Sequence, residues 1–182
     1  KKYPVFMYCY GGPGSQEVMN AYMRAQDLAF YQMLAQHGYI CVCVDGRGTA
    51  NRGDDFKKIV YKDMGHYETI DQIATARYLK TLSYVDTERV GIWGWSFGGY
   101  LSALSMFRGN GMFKMAISVA PVTNWRYYDN IYTERFLQTP QENPDGYDKN
   151  SPTTYASQLH GKYLLIHGTA DDNVHFQNSM EL

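Results

Sequence analysis

Ser96 stands between two glycines in Gly94-Trp95-Ser96-Phe97-Gly98, a fit to G-x-S-x-G. A serine hydroxyl is a weak nucleophile until a base takes its proton and a carboxylate orients that base; the chemistry that follows is acyl transfer. The spacing has a steric reason. A strand that turns straight into a helix leaves no room for side chains beside the turn, and glycine has none. Serine at the apex is then held in a strained conformation with its hydroxyl facing out, near the positive end of the helix. Alone, the pentapeptide also describes an ordinary glycine-rich turn. Its context favours the nucleophile: residues 90–93 form an apolar run that reads as a buried strand. Tyr100, Leu101, Leu104 and Phe107 then follow at helical spacing, up to Gly109-Asn110-Gly111.

The remaining members of such a site are sought further along. In α/β-hydrolases serine precedes aspartate, which precedes histidine. Asp171 obeys that order and follows an apolar run by way of a glycine; Asp172 competes with it, and a turn or cap aspartate is the plainer reading of either. Only His175 follows Asp171, too close for a base that must reach Ser96 from a separate loop. His37 lies near a helix end, His66 before a helix and His160 in a polar loop, while His167 precedes Asp171 and so stands in the wrong order. The base is therefore expected beyond Leu182. An oxyanion hole would draw one donor from the Phe97 backbone N–H. A second would come from the stretch Tyr10-Gly11-Gly12-Pro13-Gly14, through backbone or through the Tyr10 hydroxyl; on sequence alone Tyr10 reads equally as a strand-end tyrosine.

These groups need a scaffold. Apolar runs at 5–10, 39–44, 90–93, 115–120 and 163–166 read as strands. Between them fall helical patterns: Leu28, Tyr31 and Leu34 with Gly38 as a cap, then Ile70, Ile73, Ala74 and Tyr78, then the helix after Ser96. Residues 49–66 read as polar and irregular, 84–89 as a loop, and 122–162 as an inserted lid with short helices, one starting at a Ser151 cap followed by Pro152. Alternating strands and helices predict the α/β class: a doubly wound, mostly parallel sheet in which Tyr10, Ser96 and Asp171 all follow carboxyl ends of strands.

Bulk properties exclude other classes. The chain has 182 residues, 45% of them hydrophobic, and a net charge of −1 with no basic run, so nucleic acid is not an expected partner. No apolar run approaches the ~20 residues of a membrane span. Cys9, Cys41 and Cys43 lie in strand-like runs and offer neither a disulfide framework nor metal-ligand spacing; no metal or cofactor is expected. Arg52-Gly53-Asp54 spells an adhesion tripeptide, read here as a chance loop sequence.

Taken together, Gly94-Trp95-Ser96-Phe97-Gly98-Gly99-Tyr100, Tyr127-Tyr128-Asp129, Tyr132-Thr133-Glu134-Arg135 and residues 167–177 resemble the prolyl oligopeptidase family of serine peptidases, in its dipeptidyl peptidase IV-like branch. Residues 10–15 and 45–48 fit as well. The resemblance implies the α/β-hydrolase fold, truncated before its last strand and helix. Residues 1–182 would be a partial peptidase domain, without the family's β-propeller and C-terminal end.

The resemblance also implies roles. Ser96 would be the nucleophile, Asp171 the triad acid, and Tyr10 and Phe97 the oxyanion hole. Val122, Trp125, Tyr128, Tyr132 and Val174, with Phe97, would line a pocket for proline, and Asn173 would bind the carbonyl before it. A flat ring without an N–H suits an aromatic box. The implied substrate is a peptide with proline or alanine at its second position. The implied parent is a homodimer in an extracytoplasmic compartment, and the segment alone would be inactive for want of its histidine. Position 97 departs from the family's usual tyrosine, which keeps the backbone donor and loses a hydroxyl. An esterase-like acyl hydrolase and a non-enzymatic interaction protein on the same fold are the alternatives.

Overall fold

The computed structural model describes residues 1–22 and 25–182. Five strands, β1 (Tyr3–Tyr8), β2 (Ile40–Cys43), β3 (Val85–Trp95), β4 (Met115–Val119) and β5 (Lys162–Ile166), form one sheet in the order β2-β1-β3-β4-β5. Every neighbouring pair is parallel. Parallel neighbours need crossovers, and the helices α1 (Ala25–Gln36), α2 (Asp54–Lys58), α3 (His66–Leu79) and α4 (Phe97–Arg108) supply three of them. All five expected strands are present. The polar stretch at 84–89 proves to be a bulge within β3: Tyr3 pairs with Val85, but Val5 already pairs with Val90. An Arg89–Asp86 ion pair of 2.7 Å closes it.

One apolar cluster joins Val5, Met7, Val90, Ile92 and Ala116 of the strands to Ala76 and Leu79 of α3 and to Leu101, Met106 and Phe107 of α4. Helix α4 is buried on every side from Phe97 to Phe107, which accounts for its lack of a polar face. At roughly 1.5–3 kcal/mol for each large apolar side chain removed from water, it anchors the sheet. The hydroxyl of Ser118 donates to the Gly99 carbonyl at 2.9 Å, which satisfies polar groups where this helix meets β4.

Helix α3 departs from its sequence reading. Ile70 and Tyr78 are exposed, at 40% and 64%, while Glu68, Thr69 and Gln72 face inward. The inward polar face answers backbone groups. Glu68 Oε2 accepts the Gly65 N–H (2.9 Å), the Thr69 hydroxyl donates to the Gly65 carbonyl (2.6 Å), and Gln72 donates to the Val44 carbonyl (3.2 Å). Glu68 Oε1 is buried without a partner. Burial foremost, with Asp63 and Asp71 nearby, pushes its carboxyl up to about 8 against the opposing backbone hydrogen bonds.

Two smaller readings also change. Residues 49–66 contain the short helix α2, and Arg52 just before it donates to the Asp45 carbonyl (2.8 Å) with its guanidinium over the Phe56 ring. That arginine is tied inward, so the adhesion tripeptide gains no support. Between β4 and β5 lie α5 (Asn130–Leu137), α6 (Pro144–Asp148) and α7 (Pro152–Tyr155), with short 3-10 turns. Ser151 does precede α7, but its hydroxyl donates back to the Tyr147 carbonyl (2.6 Å) rather than capping the helix. The last helix is α8 (Gln177–Glu181). Among the described residues, no helix is long and apolar enough to cross a membrane.

Candidate active site

Ser96 joins β3 to α4 in the conformation φ 55°, ψ −120°. That region is strained for a residue with a side chain, and the surroundings enforce it. The Ser96 N–H donates to the Val119 carbonyl at the end of β4 (2.8 Å), and its carbonyl accepts the Tyr100 N–H (3.0 Å). The flanking glycines are obligatory. A Cβ on Gly94 would sit 2.4 Å from the Cys9 and Gly98 carbonyl oxygens, and one on Gly98 2.1 Å from the Cys9 oxygen. Gly99 is confined as well, 2.7 Å from the Val119 oxygen. The backbones of β1, β3 and α4 meet here with no space between them.

Two residues past β1, the Tyr10 side chain lies beside that of Ser96. Burial, followed by the Glu17 carboxylate, raises the Tyr10 phenol above its ordinary range, against the opposing effect of the Ser96 hydroxyl. Tyr10 is thus a neutral donor at neutral pH. The sequence offered no reason to single out Glu17. Its place follows from Asp45, a buried carboxylate after β2 that accepts the backbone N–H groups of Glu17 (3.1 Å) and Val18 (2.8 Å). Phe97 opens α4, where backbone N–H groups have no acceptor within the helix. Two donors of different kinds therefore flank the serine.

Beside them lies a second buried cluster containing Phe97, Val122, Trp125 and Val174, with Tyr10, Tyr128 and Tyr132 packed against it. The Phe97 and Trp125 ring centroids are 5.6 Å apart, those of Trp125 and Tyr132 5.9 Å apart and stacked, and those of Tyr128 and Tyr132 5.3 Å apart and edge-on. Burial raises the phenols of Tyr128 and Tyr132 above their ordinary range, so both stay neutral. The Tyr128 hydroxyl donates to Asn173 Oδ1 at 2.8 Å. That bond leaves the Asn173 amide N–H groups pointing elsewhere, available to a carbonyl acceptor.

Asp171 follows β5. Its Oδ1 accepts the backbone N–H groups of Asn173 and Val174, each at 3.0 Å, and its Oδ2 lies 3.5 Å from His167 Nε2. Ring contacts and hydrogen bonds thus run from Tyr10 through Phe97, the residue after Ser96, and through Trp125, Tyr128 and Asn173 to Asp171. Asp172 and His175 are exposed. None of the five histidines is hydrogen-bonded to Ser96 among the described residues: His37 Nδ1 meets the Met33 carbonyl at the end of α1, and both ring nitrogens of His167 are engaged on the Asp171 side. Such a site can present a nucleophile, two hydrogen-bond donors, an apolar aromatic surface and a carboxylate.

The sequence profile of the prolyl oligopeptidase family matches residues 26–182. A protein of Paracoccidioides brasiliensis named "Probable dipeptidyl-aminopeptidase B" is 48% identical over 99% of this chain, which corresponds to 20% of that protein. A protein of the same name from Aspergillus clavatus is 49% identical over 100% of the chain and 20% of its own length. Among solved structures, the crystal structure of Porphyromonas gingivalis dipeptidyl peptidase 4 superposes with a TM-score of 0.95 at 50% identity, over 100% of this chain and 25% of that one. The chain thus spans about a fifth to a quarter of the length of the proteins it matches.

Proposed function

Because this chain belongs to the prolyl oligopeptidase family, we propose that it is the larger part of the catalytic domain of a serine exopeptidase that releases dipeptides ending in proline or alanine from peptide amino termini. The observation that carries the reading is the Tyr10 side chain beside Ser96 at the strained elbow, next to a buried aromatic cluster tied through Tyr128 to Asn173. Ser96 Oγ attacks the carbonyl carbon of the second residue while an imidazole takes the hydroxyl proton. The Tyr10 hydroxyl and the Phe97 N–H hold the oxygen as it becomes negative. The C–N bond then breaks, the proton passes to the leaving amine, and an acyl-enzyme on Ser96 remains until water hydrolyses it. Asp171 orients the imidazole, which we assign to a segment following Leu182. The proline ring fits between Phe97, Val122, Trp125, Tyr128, Tyr132 and Val174, and the Asn173 amide donates to the preceding carbonyl.

A propeller domain that holds the substrate's amino group, a homodimeric parent and an extracytoplasmic location complete the proposal. Its test compares Gly-Pro-anilide with a short-chain ester, using the full-length protein. Preferential cleavage of the anilide supports the exopeptidase. Preferential ester cleavage points to a broader acyl hydrolase, and failure of a fluorophosphonate to label Ser96 points to a binding protein.

A further inference from the structure

His167 closes β5 and takes no part in the proposed proton transfer, yet its side chain is 1% exposed and both ring nitrogens are bonded. Nε2 lies 2.7 Å from the Val174 carbonyl and Nδ1 lies 2.6 Å from Ser179 Oγ. A carbonyl only accepts, so Nε2 carries a proton and donates to it, while Nδ1 shares a hydrogen bond with the Ser179 hydroxyl. The ring is also edge-on to Phe176, with centroids 5.6 Å apart. Val174 is therefore gripped at both backbone groups, its N–H by Asp171 Oδ1 and its carbonyl by His167. Ser179 belongs to the same turn of α8 as Asn178, which is fully buried. Asn178 Oδ1 accepts the Thr123 N–H (2.9 Å) and its carbonyl accepts the Thr123 hydroxyl (2.6 Å). Thr123 adjoins Val122, which belongs to the same buried cluster as Val174.

Resting on the function proposed above, we infer that His167 is a positioning residue: its imidazole, set by Ser179, sets the 171–174 turn so that the Asp171 carboxylate, the Asn173 amide and the Val174 side chain face the site together. A misplacement of about 1 Å in such a turn is enough to slow catalysis by up to ~100-fold.

The full-length protein carrying His167→Ala, His167→Gln or Ser179→Ala tests this. Glutamine places an N–H donor where Nε2–H stands. His167→Ala should slow fluorophosphonate labelling of Ser96 about 10-fold or more and raise KM for Gly-Pro-anilide, since the turn serves both acid and substrate amide. His167→Gln should recover both to within about 3-fold of wild type, in keeping with one retained hydrogen bond. Should His167→Ala fail to fold, Ser179→Ala should slow labelling about 3-fold, and an unchanged rate overturns the inference. Loss of thermal stability with unchanged labelling, or glutamine no better than alanine, also overturns it. Wild-type protein that labels but leaves the anilide intact defeats the exopeptidase reading, and the labelling rates still judge His167. If it does not label at all, amide exchange at Asn173 and Val174 decides. Exchange faster in the alanine variant and normal in the glutamine variant supports the inference; exchange alike in all three overturns it.

Discussion

At the scale of the residue, one phenol carries most of what distinguishes this serine from any other. Burial and Glu17 hold the Tyr10 phenol neutral beside Ser96, so in the proposed mechanism its hydroxyl is a donor to the oxyanion. Tyr10→Phe removes that donor and leaves the ring packing against Phe97. In the full-length enzyme kcat should fall about 100-fold or more, near 3 kcal/mol, with KM little changed. A fall of only a few-fold in steady-state assays would take Tyr10 out of the oxyanion role. The adjacent donor is backbone, so among substitutions at Phe97 only proline removes it.

Glu68 is a residue of another kind, placed for the fold. Its carboxyl is raised to about 8 when folded, against an ordinary value near 4.5, so the folded protein favours the neutral form. Stability is therefore highest below about pH 4.5 with respect to this group, declines as pH rises towards 8, and is level above that. Glu68→Gln keeps the acceptor for the Gly65 N–H and cannot ionise. Its thermal midpoint relative to wild type should climb between pH 5 and pH 8, with a ceiling of ~5 kcal/mol. Parallel midpoints across that range would show that Glu68 ionises freely in the fold.

At the scale of the element, the elbow was the most legible part of the chain, because its requirement is steric and local. A tight strand-to-helix turn demands glycine at fixed offsets, and fixed offsets are visible in sequence. Gly98→Ala should therefore abolish soluble expression or fluorophosphonate labelling, since its Cβ would lie 2.1 Å from a backbone oxygen that cannot move aside. Wild-type labelling in that variant would mean that β1 and α4 are further apart than described. Helix α3 was legible as a helix but not as to its buried face. Ile70, Ile73, Ala74 and Tyr78 form the apolar pattern, whereas Glu68, Thr69 and Gln72 go inward to satisfy backbone groups of Gly65 and Val44. Periodicity counts apolar side chains and cannot register an unpaired carbonyl that a distant segment will present. The bulge in β3 was hidden for a related reason: its polar residues look like a loop until β1 pairs on both sides of them.

At the scale of the whole molecule, the ten residues singled out for the site came from four separate stretches, and no spacing rule joins them. The aromatic grouping was read only through family resemblance, and the Tyr128–Asn173 bond was not read at all, because their partners lie far apart in sequence. The chain also accounts for only 20% of the length of its fungal relatives, and no base reaches Ser96 from its described residues. The 182-residue chain by itself should give no measurable turnover of Gly-Pro-anilide, while the full-length protein does. Turnover by the isolated chain would require one of its own histidines to serve Ser96.

The neutral carboxyl beneath α3 has a calorimetric signature. At pH 7 the unfolded chain carries Glu68 as an anion, so each molecule that melts releases close to one hydrogen ion into the medium from this position. The buffer absorbs that ion with its own heat. Melting should look less endothermic in Tris, which binds hydrogen ions exothermically, than in phosphate, and Glu68→Gln should narrow the gap between the two buffers.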